Sequence, residues 1–176
     1  MIYFSSDHHF SHNGILKHCS STRPYNTIVE MDKDYIDKWN SFISDKDEVY
    51  YLGDLTLGNW GTALSYIKKL KGRIRFIKGN HDDRWFGSLD SHQKLAPIHE
   101  LRHNGQLYVL SHYAMREWNK SFHGSYHLFG HSHGNLPSYK LSFDIGVDCH
   151  NGFPISIDEV NEKMEILKSS MENKNE

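Results

Sequence analysis

The stretch Ile77-Lys78-Gly79-Asn80-His81-Asp82 decides the fold prediction, because it joins the end of an apolar segment to three polar side chains. The residues before it, Arg73-Ile74-Arg75-Phe76-Ile77, predict a buried strand. A buried polar group without a partner costs on the order of 1–3 kcal/mol, so an amide, an imidazole and a carboxylate are poorly suited to a core. They suit the mouth of an α/β sheet, where ligands bind beyond the carboxyl ends of the strands. The stretch therefore predicts a binding site at a strand end.

The same arrangement follows four other predicted strands. These strands are Ile2–Ser6, Val49–Leu52, Gln106–Leu110 and Tyr126–Phe129, and a sixth strand is predicted at about 142–147. The metal-capable side chains at the five strand ends are Asp7, His9, Asp54, Asn80, His81, His112, His131 and His133. One polar residue after a strand is usually a turn former or a helix cap. Five such strand ends in one chain favour a shared site instead.

The spacing within two of these blocks predicts which side chains face the same way. Side chains two apart on a strand point to the same face, so Asp7 and His9 are expected to converge while His8 points elsewhere. The same spacing predicts that His131 and His133 share a face.

The donor types at the strand ends suit a pair of divalent ions. Neutral imidazole and carboxylate bind borderline divalent ions, and the absence of thiolates at these ends disfavours a structural zinc cage. So many potential ligand groups exceed what one ion can bind, whereas they suit two ions about 3.5–4 Å apart with a bridging carboxylate. Asp54 stands alone at its strand end and is the predicted bridge.

Composition and charge limit the classes of protein to consider. The 176 residues predict one domain over 1–176, and no apolar run approaches the roughly 20 residues of a membrane span. The N-terminal residues lack the pattern of a secretory signal, and Cys19 and Cys149 form no CxxC site or disulfide framework, so a cytoplasmic protein is expected. The net charge of −2 disfavours a strong nucleic-acid-binding surface.

Three amphipathic helices are predicted between and after the strands. A capping box at Thr27 to Glu30 opens the first helix, which runs to about Ile43. The second is expected to be closed by Gly72. A second capping box, at Ser156 to Glu159, opens the last helix, and the polar tail 169–176 is expected to fray.

The ordered blocks resemble the calcineurin-like metallophosphoesterases. The pattern consists of Asp-x-His (Asp7, His9), Gly-Asp (Gly53, Asp54), Gly-Asn-His-Asp (Gly79 to Asp82), Ser-His (Ser111, His112) and Gly-His-x-His (Gly130 to His133). In detail the chain is similar to small bacterial and phage-encoded members. It shares their Arg-Pro-aromatic loop, here Arg23 to Tyr25, and their C-terminal Gly-Val-Asp…Pro-Ile-Ser segment, here Gly146 to Ser156.

The resemblance implies a fold and a division of the ligands. The implied fold is an α/β (in some schemes α+β) four-layer αββα sandwich, with two mixed β-sheets flanked by helices. The resemblance implies a first ion held by Asp7, His9, His133 and Asp54, and a second ion held by Asn80, His112, His131 and again Asp54. The cofactors are then two divalent ions, with manganese expected and iron, zinc, nickel or magnesium as alternatives. His81 binds neither ion.

The expected reaction is in-line attack of a metal-bridging hydroxide on a phosphate ester. Two ions lower the pKa of a bridging water from about 15.7 toward 7 and neutralise the phosphate oxygens. His81 is the candidate general acid for the leaving group, because histidine titrates near neutral pH. Asp82 is the candidate residue that orients His81, with capping of the next helix as the alternative.

The substrate is less defined than the site. Arg23 and Arg84 are candidate phosphate-binding residues, with a solvated loop arginine as the alternative for Arg23. The leading hypothesis is a phosphodiesterase acting on a small or nucleotide-like diester. The alternatives are a phosphomonoesterase, a partner-dependent nuclease and a non-catalytic metal-binding scaffold. Leu57-Gly58-Asn59 stands where the resembling protein phosphatases carry Asp-Arg-Gly, which disfavours a phosphoprotein substrate. His127 and Asp148 are interpreted as structural, and the oligomeric state stays open.

Overall fold

Two mixed four-stranded β-sheets form the framework in the computed structural model, which describes residues 1–173. The strands in chain order are β1 (Ile2–Ser5), β2 (Glu48–Tyr51), β3 (Arg73–Phe76), β4 (Ile98–His103), β5 (Gln106–Ser111), β6 (Tyr126–Phe129), β7 (Ser142–Asp144) and β8 (Ile155–Ser156). The first sheet has the order β3-β2-β1-β8, in which only β8 is antiparallel to its neighbour. The second sheet has the order β4-β5-β6-β7, in which only β4 is antiparallel. The predicted α/β class with two mixed sheets is confirmed.

The helices are α1 (Ile15–His18), α2 (Ile28–Phe42), α3 (Trp60–Ile67) and α4 (Ile157–Glu172). Both predicted capping boxes are present, at the starts of α2 and α4. The predicted fraying from residue 169 is wrong for the part of the tail that the structure describes, because α4 continues to Glu172; residues 174–176 lie outside the described residues. Along residues 1–173, none of the helices combines the length and the apolar character that crossing a bilayer requires.

The second predicted helix ends earlier than expected. Asn59 accepts a hydrogen bond from the backbone N–H of Thr62, so the helix begins at Trp60. The helix ends at Ile67 rather than near Gly72. Gly72 has a φ of +94° and lies just before β3, so it serves the turn into the strand.

Strand β2 shows how the layers pack, because it is buried on both faces. Val49 and Tyr51 pack with the apolar side chains of α2 and α3. Tyr50 points the opposite way, as alternation along a strand requires, and packs in the core shared by the two sheets. In that core the rings of Phe4 and Tyr108 stack with centroids 6.2 Å apart. Helices, first sheet and second sheet therefore form three consecutive layers.

The resemblance implies a fourth layer of helices on the far face of the second sheet, and the structure differs there. Tyr108 faces the first sheet, and its hydroxyl donates to Asn161 of α4, so α4 lies on that inner face too. The opposite face carries the buried His127, whose ring lies 5.2 Å from that of Trp118. The backbone N–H of Met115 donates to Nε2 of His127. Within residues 1–173, loop side chains rather than a long helix cover this face, and His127 is a hydrogen-bonded structural residue, as predicted.

Candidate metal centre

The strand ends of both sheets meet at one edge of the sandwich. The backbone N–H of Asp7 donates to the carbonyl of Gly53 at 3.0 Å, which joins the ends of β1 and β2. The backbone N–H of Gly130 donates to the carbonyl of His112 at 3.0 Å, which joins the ends of β5 and β6. The backbone N–H of His131 donates to the carboxylate of Asp7 at 2.9 Å and so links the two sheets. The polar residues after these strands therefore lie close together.

Asp7, His9 and His133 form the first ligand group, in which one potential ligand atom from each residue lies within 4.8 Å of the others. Asp7 is 0% exposed, and its Oδ1 atom has no hydrogen-bond partner. Neither ring nitrogen of the buried His9 has a hydrogen-bond partner. Since buried polar atoms are nearly always satisfied, this arrangement fits a cation that would complete it.

Electrostatics in the first ligand group also fit a cation. Burial raises the pKa of Asp7 to about 8, because the site disfavours an unneutralised carboxylate. Burial lowers the pKa of His9 to about 2, so its ring is neutral. A metal ion requires an ionised carboxylate and a neutral imidazole. The ion would supply the charge that Asp7 lacks, and His9 is already in the required form. Against the effect of burial, the hydrogen bond to Asp148 raises the pKa of His133 to about 10, so an ion would displace a proton there.

Asp54, His112 and His131 form the second ligand group, whose potential ligand atoms also lie within 4.8 Å of one another. The Oδ2 atom of Asp54 lies 3.6 Å from Nε2 of His112. The same oxygen lies 3.6 Å from Nε2 of His9 in the first ligand group. Asp54 thus stands between the two groups, in the position predicted for a bridge. Asn80 adjoins the second ligand group, since its Oδ1 lies 2.9 Å from Nε2 of His112.

Hydrogen bonds fix the orientation of His112. Its Nδ1 lies 2.7 Å from the carbonyl oxygen of Leu52. A carbonyl can only accept, so Nδ1 carries the proton and Nε2 presents its lone pair toward Asp54. His131 in the same group is exposed, and its ring lies 4.6 Å from that of Tyr113.

Left-handed backbone, rather than strand alternation, directs the ligand side chains. Asp7, His9, Asp54, His131 and His133 all have positive φ, between 48° and 67°. They lie in turns beyond the last strand residues, so the prediction based on alternation gave the wrong cause for their convergence. It also paired His131 with His133, which the structure assigns to different ligand groups. Such backbone costs a non-glycine residue about 1–3 kcal/mol and is concentrated at functional sites.

His81 lies on the open side of the ligand groups. Its side chain is 44% exposed, and its Nε2 lies 4.0 Å from Oδ2 of Asp54. Its ring is 5.5 Å from that of His9, and its backbone N–H donates to Oδ1 of Asp54 at 2.9 Å. The ring is therefore anchored at the site while remaining accessible to solvent.

Asp82 does not have either of its predicted roles. Its buried carboxylate accepts hydrogen bonds from the backbone N–H groups of Asp54 (2.8 Å), Leu55 (3.1 Å) and Gly79 (2.8 Å) and from the indole N–H of Trp85 (3.0 Å). These contacts fix the turns after β2 and β3. The predictions that Asp82 orients His81 or caps a helix are replaced by this role in holding the turn that carries Asp54.

Arg23 is an internal residue, so both predicted roles for it are wrong. It is 1% exposed, which leaves it neither solvated nor open to a substrate. Its Nη2 and Nε donate to the two carboxylate oxygens of Asp148 at 2.6 and 2.9 Å. Nη2 and Nη1 also donate to the carbonyls of Asp7 and His8 at 2.6 and 2.9 Å. Arg84, by contrast, is exposed, and its contact with substrate stays a prediction.

Asp148 is the residue of this site that the sequence interpretation missed. Its Oδ2 lies 2.7 Å from Nδ1 of His133, in the first ligand group. It directly follows the sixth predicted strand, at about 142–147, but it lies outside the five ligand blocks and was therefore interpreted as structural. The usable signal was the Gly-Val-Asp segment that ends at Asp148, read together with the Arg-Pro-aromatic loop. His8 lies outside both ligand groups, as predicted, with Nδ1 2.9 Å from the hydroxyl of Tyr51.

Comparison with known proteins shows a relative that matches most of the chain. The uncharacterized protein MJ1445 of Methanocaldococcus jannaschii is 35% identical over 166 residues, which cover 89% of this chain and 87% of that protein. The chain belongs to the MJ1445 family. The gene 66 protein of Mycobacterium phage L5 is 30% identical over 94 residues, which cover 52% of this chain and 44% of that protein. No family model matches the chain.

A solved structure shares the fold of this MJ1445-family chain. The crystal structure of AQ665, a protein of unknown function from Aquifex aeolicus, superposes with a TM-score of 0.72. The match covers 92% of this chain and 98% of AQ665 at 21% sequence identity. At this identity the likeness is one of fold alone.

Proposed function

We propose that the protein is a dinuclear-metal-dependent phosphoesterase of the calcineurin-like type, which hydrolyses a small or nucleotide-like phosphodiester. The observation that carries this proposal is the position of Asp54, whose Oδ2 lies 3.6 Å from a histidine nitrogen in each ligand group. A carboxylate between two groups of nitrogen and oxygen donors is typical of two-metal sites. The unpartnered buried atoms of Asp7 and His9 add independent support.

The ligand groups specify how the ions would be held. The first ion would be held by Asp7, His9, His133 and Asp54, and the second by Asn80, His112, His131 and Asp54. Mixed imidazole, carboxylate and amide donors suit manganese, with iron, zinc, nickel or magnesium as alternatives. When bound, two such ions supply an activated water at neutral pH and neutralise charge on the phosphate oxygens.

His81 is proposed to protonate the oxygen of the leaving group. Its ring is reachable from solvent, so a substrate at the ligand groups can contact it. Its backbone bond to Asp54 fixes its distance from both groups. Imidazole is the side chain that most often transfers protons in enzyme active sites.

The surroundings of the site favour a diester over a monoester. A monoester dianion is best bound by several cationic side chains, yet the arginine predicted to meet the phosphate, Arg23, is internal and paired with Asp148. Tyr113 is 53% exposed, and its ring lies 5.0 Å from that of His112 and 4.6 Å from that of His131. Its exposed aromatic ring suits an organic group on the substrate, such as a base. A cytoplasmic location and the lack of a strong nucleic-acid-binding surface belong to the same proposal.

The proposal is tested by removing metal with a chelator, adding back manganese, and comparing hydrolysis of bis-p-nitrophenyl phosphate with that of p-nitrophenyl phosphate. The expected result is metal-dependent turnover with a higher kcat/KM for the diester, and the chelated protein is the control. Preference for the monoester would overturn the diester assignment. The absence of turnover of both compounds, with two ions bound, would overturn the assignment as a hydrolase.

A further inference from the structure

A buried ion pair between Arg23 and Asp148 lies behind the first ligand group, and the proposed chemistry uses neither residue. Both side chains are fully buried, with 2.6 Å between Nη2 and Oδ2. A buried ion pair is weak grounds for stability, because its desolvation offsets much of its attraction. The other contacts of the two residues point to a different role.

Asp148 determines how His133 presents its ring. Oδ2 of Asp148 accepts from Arg23 and lies 2.7 Å from Nδ1 of His133. Oδ1 accepts from Arg23 Nε and from the hydroxyl of Thr22 at 2.9 and 2.5 Å. An ionised carboxylate only accepts, so Nδ1 of His133 carries a proton and points to Asp148, which leaves Nε2 as the ring nitrogen available to an ion.

Arg23 fixes the backbone of the other two members of the first ligand group. Its guanidinium donates to the carbonyl of Asp7, a ligand residue, and to the carbonyl of His8, which directly precedes the ligand His9. One planar group with fixed donor geometry thus connects Asp148 and His133 to the chain that carries Asp7 and His9. Every member of the first ligand group is held by the pair, through its ring or through its backbone.

The second ligand group is supported at its backbone, by Asp82 at Asp54 and by Asp7 at His131, but its histidine rings have weaker support. His112 is oriented by a neutral backbone carbonyl, that of Leu52. His131 is exposed, and its ring neighbour Tyr113 is exposed as well. The two groups therefore differ in how firmly their ligands are held before an ion arrives, and preorganised ligands bind more tightly.

We propose that the Arg23–Asp148 pair is the positioning element of the first ligand group and makes that group bind its ion more tightly than the second group does. The inference rests on the proposed function in one respect, namely that both groups bind ions. Arg23 and Asp148 are positioning residues, since they act through His133 and the backbone at Asp7 and His8.

The experiment is a titration of manganese into the metal-free protein, followed by calorimetry and by electron paramagnetic resonance. Electron paramagnetic resonance distinguishes a single bound Mn²⁺ from two coupled Mn²⁺ ions, so it measures metal occupancy independently of enzymatic activity. The wild type should load in two steps of unequal affinity. In Asp148→Asn the tighter step should weaken about tenfold to hundredfold, the usual cost of losing a partner of a metal ligand, while the weaker step stays unchanged.

Two further variants keep the test decisive. Arg23→Lys retains the positive charge but loses the planar fork, so it should weaken the tighter step in the same direction and by less. Asp32→Asn is the matched control, because Asp32 is also a buried carboxylate, accepting from the backbone N–H of Ser11 and the hydroxyl of Tyr66. It should titrate like the wild type. Thermal unfolding of each metal-free protein checks that it is folded.

The outcomes separate the inference from the proposed function. Equal affinities in the wild type, or equal weakening of both steps in Asp148→Asn, would overturn the inference and leave a two-metal enzyme in place. A wild type that binds no divalent ion would overturn both. If Asp148→Asn does not fold, Arg23→Lys and the two wild-type affinities decide the question.

Discussion

The first ligand group is enclosed, whereas the second is open to solvent at one of its residues, His131. Asp7 and His9 are buried with unpartnered atoms, and an ion pair lies behind them. His131 is exposed, and the exposed His81 and Tyr113 stand on the same open side. Under the proposed function, this difference would let the first ligand group hold its ion firmly while the side at His131 admits a substrate. Asp54 stands between the two groups.

The substitution with the largest expected effect tests whether the two ligand groups form one metal centre. Asp54→Ala should lose both ions and reduce hydrolysis to background, because its carboxylate is the only side chain proposed to bind both. Metal content by mass spectrometry is the measurement. Asp83→Ala is the matched control, since Asp83 is exposed and pairs with Lys78 at the surface. A variant of Asp54 that still held two ions would break the bridging assignment.

The next largest effect is expected for a substitution of the solvent-exposed His81. His81→Ala should slow turnover by about a hundredfold or more while retaining both ions, the usual scale for losing a general acid. Steady-state kinetics together with metal analysis separate the two properties. His92→Ala, an exposed histidine in a different loop, should match the wild type. Parallel loss of metal and rate in His81→Ala would make His81 a ligand instead.

A smaller effect is expected for the aromatic ring on the open side. Tyr113→Ala should raise KM about three- to tenfold for an aromatic diester, since an aromatic contact contributes about 0.5–1.5 kcal/mol. Metal content should not change, because Tyr113 contacts His131 and His112 only through ring packing. Phe122→Ala is the control, as Phe122 is exposed and packs under Lys140. An unchanged KM would exclude Tyr113 from substrate binding.

The smallest expected effect on the chemistry is that of Asp82→Ala. The loss of its carboxylate leaves backbone N–H groups unpaired and should lower the free energy of unfolding by about 1–3 kcal/mol, measured by urea denaturation of the metal-free protein. The pH profile of turnover should stay in place, because Asp82 binds the turn backbone rather than His81. A displaced profile would restore the role of Asp82 as a partner of the general acid.

The sequence predicts the strands that carry the site, because each is an apolar run with a polar end. The sequence pattern does not predict β4, an edge strand whose side chains alternate between exposed and half-buried. Its exposed residues include Glu100 and Arg102. The apolar period that marks a buried strand is therefore absent there. It also assigns β8 to no strand, because two residues are too few for a pattern, and Ser156 carries the clearer signal of a helix cap.

Long-range and backbone features explain the remaining differences at the site. Arg23 and Asp148 are 125 residues apart, so nothing in either local sequence shows that they meet. Left-handed backbone is equally hidden, since aspartate and histidine occupy it more often than other non-glycine residues but do not require it. The residues of the two ligand groups were thus predictable from the motifs, whereas the contacts that support them required the fold.

The left-handed backbone of the proposed ligand residues has a consequence for the stability of the metal-free protein. Each such residue stores about 1–3 kcal/mol of strain that only the folded state carries. An ion that binds the folded state alone stabilises it by mass action and offsets that strain. The metal-free protein should therefore be the form that proteases cut first. Divalent-ion supply would then set how long the protein persists, in addition to how fast it works.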